Sequence, residues 1–312
     1  MTTPGLARAL ESTFGDRVHV GASLGPLTTF QIGGPADLRI DATTEDEIAS
    51  AWRTAHAHGV RPVVLGGGSN VLVGDDGVSG LVLRVRTHGV ADEGPGLVRV
   101  AAGVTINGLV RWLVGRGYRG LEAWAGTPGT LGGAICGNAH FRGALIGDLV
   151  ESVRVLDARG EVHDLTRDDM AFGYDASRVQ SSGELVLSAV ISVEAGDEPE
   201  RLRDIARSSL SFRKATQPLH QSSAGCVFQN PDRARDHVPA SLPCSAGALI
   251  DRVGLKGIAV GGARISPVHA NFFVNEAGAR AADVLALIEM ARTRVRDAFG
   301  IELREEIVRL GC

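Results

Sequence analysis

The chain has 312 residues, a formal net charge of −4 and 44% apolar residues. That length exceeds one core and suits two or three packed subdomains, and interspersed charge with no basic run argues against nucleic acid or an anionic membrane surface as partner. No apolar run reaches the length of a bilayer span, and Met1–Gly5 lacks the basic and apolar regions of a signal peptide, so a cytoplasmic, monomeric protein acting on small molecules is expected. The four cysteines, Cys136, Cys226, Cys244 and Cys312, show no C-x-x-C pairing, so reduced thiols are expected, with no zinc site. Lysine occurs only at Lys214 and Lys256, so where a generic cation is needed this chain supplies arginine.

In chain order, Leu6–Phe14 has amphipathic helical spacing. Thr28–Pro35 is expected as a strand-like entry ending in a turn, and Ala36–Ile40 alternates as a strand. Glu45–His58 reads as a helix stopped by Gly59, and Pro62–Leu65 as a short buried strand. Val73, Gly80–Val85 and Leu97–Ala102 are β-branched runs, followed by a helix over Ile106–Gly115. Val150–Asp157 and Val162–Leu165 form a predicted hairpin, and Leu185–Glu194 a further strand. Gly196–Pro199 is the expected linker. Beyond it come helices over Pro199–Lys214, Ala246–Val253 and Ala281–Phe299, with strands at Asn271–Asn275 and Ile307–Leu310. The sum is an α+β chain divided at residue 199: 1–198, itself split near 70, and 199–312.

Three stretches carry chemistry. Leu65-Gly66-Gly67-Gly68-Ser69-Asn70 sets several backbone amides around one anion with no Cβ in the way; alone it is equally an ordinary flexible turn. It fits neither G-x-G-x-x-G after a strand nor a P-loop. Gly126-Thr127-Pro128-Gly129-Thr130-Leu131-Gly132-Gly133 adds a Pro-Gly turn and a Gly-Gly pair beside apolar residues, as a backbone pressed against a bulky ligand requires. Ala224-Gly225-Cys226-Val227-Phe228 puts a small acidic side chain on a tight turn, where a proton donor would sit; in isolation such a cysteine is more often inert core. A diphosphate-holding backbone together with an acid suggests a flavin reductase.

These stretches also carry a resemblance. With Thr29-Phe30, Ile32-Gly33-Gly34, Asn138-Ala139, Gln217-Pro218, Asn230-Pro231, Gly254–Gly257, His269-Ala270-Asn271-Phe272 and Glu306 they run in order from about residue 28 to the C-terminus, and the chain resembles the UDP-N-acetylenolpyruvoylglucosamine reductases. The resemblance implies an FAD-binding domain of the vanillyl-alcohol-oxidase (PCMH) type plus a C-terminal α+β substrate domain whose last strand returns to the active site. It implies NADPH as reductant, and a UDP-sugar enol ether reduced to UDP-N-acetylmuramate for peptidoglycan. Residues 65–70, 126–130, Gly132, Gly133, Asn138 and Ala139 would contact FAD, and Arg213, Lys214, Gln217, Asn230, His269 and Asn271 the substrate. The family's shorter type is indicated. Cys226 falls on the family's donor serine; a thiol of ordinary pKa near 8.5 is mostly protonated at neutral pH and is the stronger acid. Glu306 falls on the family's carboxylate, able to donate if protonated, whereas a solvent-facing strand carboxylate describes Glu305 better.

The chain departs from the pattern at Tyr174-Asp175, where the family has a Tyr-Arg pair whose arginine contacts the enolpyruvyl carboxylate; an anion there opposes an anionic substrate. Arg178, three residues on, is expected to compensate in part if the segment is helical. Thr216 replaces a lysine, and His140 a glycine beside the flavin; His140 could cap the ring or a phosphate or link covalently to the flavin, but a plain surface histidine is the expectation. Asp175 and Thr216 keep two alternatives open: a paralogue acting on a related nucleotide or enol ether, and a non-catalytic flavin- or nucleotide-binding protein.

Overall fold

The computed structural model describes residues 4–312. The first three residues of the segment read as lacking a leader lie outside the described residues. Two compact units emerge, each assembled from separated stretches: residues 1–22, 37–67 and 79–212 in the first, and 23–36, 68–78 and 213–312 in the second. Both mix helix and strand.

In the first unit, a four-stranded sheet runs in the order His19–Ser23, Pro35–Ala42, Val78–Val85, Val63–Leu65. Pro35–Ala42 alternates in burial and Leu81–Leu83 is buried throughout, and Leu38, Ile40, Leu81 and Leu83 belong to the core. Helices Pro4–Phe14 and Glu45–Ala57 bury Leu6, Leu10, Ile48 and Trp52 in that core. Thr44 opens the second helix by accepting the Glu47 N–H, and the Glu47 carboxylate accepts the Thr43 N–H in return. A five-stranded antiparallel sheet follows: Val162–Thr166, Val150–Leu156, Leu185–Ser192, Leu97–Ala101, Val90–Gly94. The hairpin forms as expected, Val153 opposite Leu165, and Leu185–Ser192 is buried along nearly its whole length as a central strand. Helix Ile106–Gly115, capped by Thr105, spans the expected residues.

The second unit closes its own core around Phe228, Phe273, Ile250 and the helix Ala281–Phe299, whose Val284, Leu287, Ile288, Ala291 and Val295 face inward. A three-stranded antiparallel sheet, Ala259–Val260, Ala263–Ile265 and Phe273–Asn275, packs beside it, and Val308–Leu310 pairs parallel with Val71–Val73. Thr28–Pro35 is not the expected strand. A 3₁₀ turn at Gly25–Leu27 leads into irregular chain with Gln31 at φ 57°, and Phe30 and Ile32 are its buried anchors. Gly34 and Gly77 explain the departure: a Cβ on Gly34 would lie 2.1 Å from the Asp75 oxygen, and one on Gly77 1.7 Å from the Pro35 oxygen, so two loops meet backbone to backbone.

Candidate functional site

In the first unit the two glycine-rich stretches touch. A Cβ on Gly67 would sit 2.8 Å from Gly129 Cα, and one on Gly66 2.6 Å from Thr130 Oγ1. Bare backbone is therefore required first by the approach of the two loops to each other. Asn107, which the sequence pattern does not single out, pins the second loop: its Oδ1 accepts the Gly126 N–H at 2.7 Å and its Nδ2 donates to the Thr127 carbonyl at 3.1 Å. Gly132 lets the helix Leu131–Cys136 approach Ala102, the residue after strand Leu97–Ala101, within the reach of a missing methyl. Among the described residues, the amides of Gly66, Gly67, Gly129, Thr130 and Gly133 donate to no protein acceptor. Clustered amides without acceptors, on a surface cleared of Cβ atoms, are the donor set a diphosphate takes up. The residues fit FAD.

Asn138, expected at the cofactor, commits its side-chain amide to backbone groups. Fully buried and at φ 41°, it donates through Nδ2 to the Gly173 carbonyl at 2.7 Å and accepts the Gly147 N–H through Oδ1 at 3.0 Å. It thus clamps the stretch 138–140 against the Tyr174 turn. In that turn Asp175 stands at φ 50°, Gln180 donates to its carbonyl, and the next helix begins only at Val179. The segment is not helical at Asp175–Arg178, and Arg178 forks onto Glu184, Nε to Oε2 at 3.0 Å and Nη2 to Oε1 at 2.9 Å. The expected compensation by Arg178 fails on both counts. The Asp175 carboxylate instead lies 3.0 Å from His140 Nδ1.

In the second unit, Gly225 at φ 80° delivers Cys226 into an extended rung between two others. Cys226 opposes Phe272 and Phe228 opposes Glu305; the Val227 N–H donates to the Asn271 carbonyl at 2.8 Å and the Val227 carbonyl accepts the Glu306 N–H at 2.8 Å. Cys226 and Glu306 are thereby fixed on adjoining extended segments. The neighbouring carboxylates divide the work: Glu305 is gripped by Arg292 at 2.7 Å and Arg309 at 2.6 Å, as a structural ion-pair partner. Asn70 donates to the Glu306 carbonyl at 3.0 Å and so steadies that backbone, where the sequence places it on the cofactor.

Of the expected substrate contacts, Arg213 is buried, only 6% exposed; burial lowers its pKa to about 10, with Cys226 acting in the opposite direction, and it stays cationic at neutral pH. Its Nη1 lies 3.4 Å from Gln217 Oε1, and Lys214 is exposed beside it. Asn271, 2% exposed, accepts the Phe228 N–H at 2.9 Å and donates to the Phe228 carbonyl at 2.7 Å, a clamp inside the rung. Asn230 likewise accepts the first amide of helix Ala246–Arg252 at 3.1 Å. His269 is half-buried, its Nδ1 accepting the Asn271 N–H at 3.2 Å.

Comparison with known proteins agrees with this anatomy. Residues 36–166 match an FAD binding domain, and residues 217–310 match the UDP-N-acetylenolpyruvoylglucosamine reductase C-terminal domain. Phl p 4.0202, a glucose dehydrogenase, shares the fold at a TM-score of 0.50 with 16% identity, over 61% of this chain and 44% of its own. The protein is thus an FAD-dependent oxidoreductase of α+β fold.

The reductase of that name from Synechococcus sp. (strain CC9605) is 40% identical over 93% of this chain and 95% of its own, and that of Heliobacterium modesticaldum 39% identical over 91% and 88%. The crystal structure of the Thermus caldophilus enzyme superposes with a TM-score of 0.76 at 32% identity, covering 94% of this chain and 99% of the other. The chain belongs to the UDP-N-acetylenolpyruvoylglucosamine reductase family.

Proposed function

We propose that this chain uses NADPH to reduce UDP-N-acetylglucosamine enolpyruvate to UDP-N-acetylmuramate, a step of peptidoglycan synthesis. The observation that carries the reading is the rung that fixes Cys226 and Glu306 on adjoining segments, joined through the Val227 carbonyl and the Glu306 N–H. Bound FAD, held by the amides of Gly66, Gly67, Gly129, Thr130 and Gly133, supplies hydride chemistry at the β-carbon of the enol ether. The α-carbon then needs a proton and the adjoining carboxylate needs donors for its growing charge. Cys226 gives the proton from Sγ, and Glu306 in its protonated form donates to the carboxylate. Arg213, buried and charged beside Cys226, contributes positive potential where negative charge develops. Residues 1–198 as the FAD-binding part, residues 199–312 as the substrate domain, and a cytoplasmic monomer complete the proposal; no helix among the described residues is long and apolar enough to cross a membrane.

An anaerobic titration tests it. NADPH is expected to bleach the flavin absorbance of the holoenzyme, and UDP-N-acetylglucosamine enolpyruvate to restore it mole for mole; reduced flavin that ignores this substrate overturns the reading.

A further inference from the structure

We propose that Asn107 decides which face of the second glycine-rich loop meets the FAD diphosphate, and so sets the affinity for the cofactor. The inference rests on the assignment of that loop's amides to FAD and adds a positioning residue to it. All of the groups involved belong to the first unit. A backbone stretch holds a diphosphate only if its N–H groups face the ligand and its carbonyls do not, because a carbonyl oxygen there repels a phosphate oxygen. Residues 126–133 meet this condition by dividing their amides. Those of Gly126, Thr127, Leu131 and Gly132 donate into the protein, to Asn107 Oδ1 and to the carbonyls of Trp124, Val104 and Ala102 respectively. Pro128 has no N–H, and among the described residues the amides of Gly129, Thr130 and Gly133 meet no protein acceptor.

The carbonyls are turned the opposite way. The Ile106 N–H donates to the Gly129 carbonyl at 3.0 Å; C=O and N–H point in opposite directions across a trans peptide, so this bond turns the Thr130 N–H away from helix Ile106–Gly115. The Ala134 N–H holds the Thr130 carbonyl at 2.9 Å. The Thr127 carbonyl is the weak point. Its peptide ends on Pro128, so no N–H anchors the far side of the plane, and Asn107 Nδ2 donates to it at 3.1 Å. With Oδ1 accepting the Gly126 N–H at 2.7 Å, one planar side-chain amide offers donor and acceptor together, as a peptide does. Gly126 stands at φ 85° and Gly129 at φ 98°, so no Cβ restrains the planes between them. Asn107 supplies that restraint. It is half-buried on the first turn of a helix whose own cap is Thr105, with Oγ1 accepting the Gly108 N–H at 3.1 Å. The Thr105 side chain serves the helix and that of Asn107 the loop, so substitution separates the two roles.

Fluorescence titration of the apoprotein with FAD tests this, with urea denaturation of each variant beside it. Asn107→Ala removes both bonds and is expected to bind FAD about 10–100-fold more weakly. Asn107→Asp is nearly isosteric and keeps the acceptor for Gly126, but sets a carboxylate oxygen against the Thr127 carbonyl; it should weaken binding at least as much, without the lost volume that threatens folding in the alanine variant. Thr105→Ala, which uncaps the same helix, should lower the urea midpoint while leaving FAD affinity at the wild-type value. In ³¹P spectra of the FAD-saturated protein, the diphosphate resonances should move in both Asn107 variants and stay in place in Thr105→Ala. Wild-type FAD affinity in the Asn107 variants, diphosphate resonances that do not move in them, or an equal loss of affinity in Thr105→Ala overturns the inference alone. Wild-type apoprotein that takes up no FAD overturns the assignment of the loop to the cofactor.

Discussion

In the unit with the glycine runs, function depends on side chains that are missing: Gly66 and Gly67 let two loops meet, and the amides around them find no protein acceptor among the described residues. In the unit with Cys226, function depends on side chains placed by register, with Asn271 and Asn70 spending their amides to hold the rung on which Cys226 and Glu306 stand. The first design fails when an atom is added and the second when one is removed. Substitutions in one should spare the property of the other.

The largest expected effect is on the acid. Cys226→Ala should slow flavin reoxidation by the enolpyruvyl nucleotide by about 10²–10⁴-fold, the usual contribution of a positioned general acid, leave NADPH bleaching intact, and be rescued by Cys226→Ser; stopped-flow absorbance separates the steps. Next is the cradle. A branched side chain at Gly67→Val meets the Gly129 backbone, and an overpacking cost of about 1–3 kcal/mol corresponds to FAD bound about 10–100-fold more weakly. Flavin fluorescence titration reads this directly. The comparison is broken if Gly67→Val leaves FAD affinity unchanged.

In the rung the expected effect is on stability and not on the cofactor. Asn271→Ala strips the Phe228 N–H and carbonyl of partners inside the core, at a cost of about 2–6 kcal/mol, twice the cost of one buried group left unsatisfied. Urea denaturation should show it, with Asn230→Ala costing about 1 kcal/mol through one amide at a helix start.

The smallest effect is a pH dependence. Burial, with the charge of Lys256 in support, holds His269 below the ordinary imidazole value, in keeping with an Nδ1 that accepts a hydrogen bond. Below the unfolded value of about 6.5 the unfolded chain binds the extra proton, so stability is lost as pH falls through that value toward the lower folded one. Tm measured from neutral pH downward should fall, and fall less in His269→Gln.

The legible parts of this chain were those where local pattern and tertiary role coincide. Glu45–Ala57 and Ile106–Gly115 carry their own caps and apolar faces, and the glycine runs announce a backbone site because few other uses need so many residues without a Cβ. What stayed hidden depends on partners distant in sequence. Nothing near Asn70, Asn138, Asn230 or Asn271 says whether its amide serves a ligand or a backbone group; each serves the backbone, through partners such as Glu306, Gly173, Ala246 and Phe228. Residues 23–36 and 68–78 join the C-terminal unit through contacts such as Val73 with Leu310, which no local periodicity reveals. Asp175 read alone as a lost cation; its contact with His140, 35 residues earlier, is invisible to any local pattern.

The most direct measurement is the mass of the nucleotide after one anaerobic turnover of NADPH-reduced holoenzyme with UDP-N-acetylglucosamine enolpyruvate. A product heavier by one hydride and one proton is expected. A nucleotide recovered at unchanged mass, with the flavin still reduced, contradicts the account.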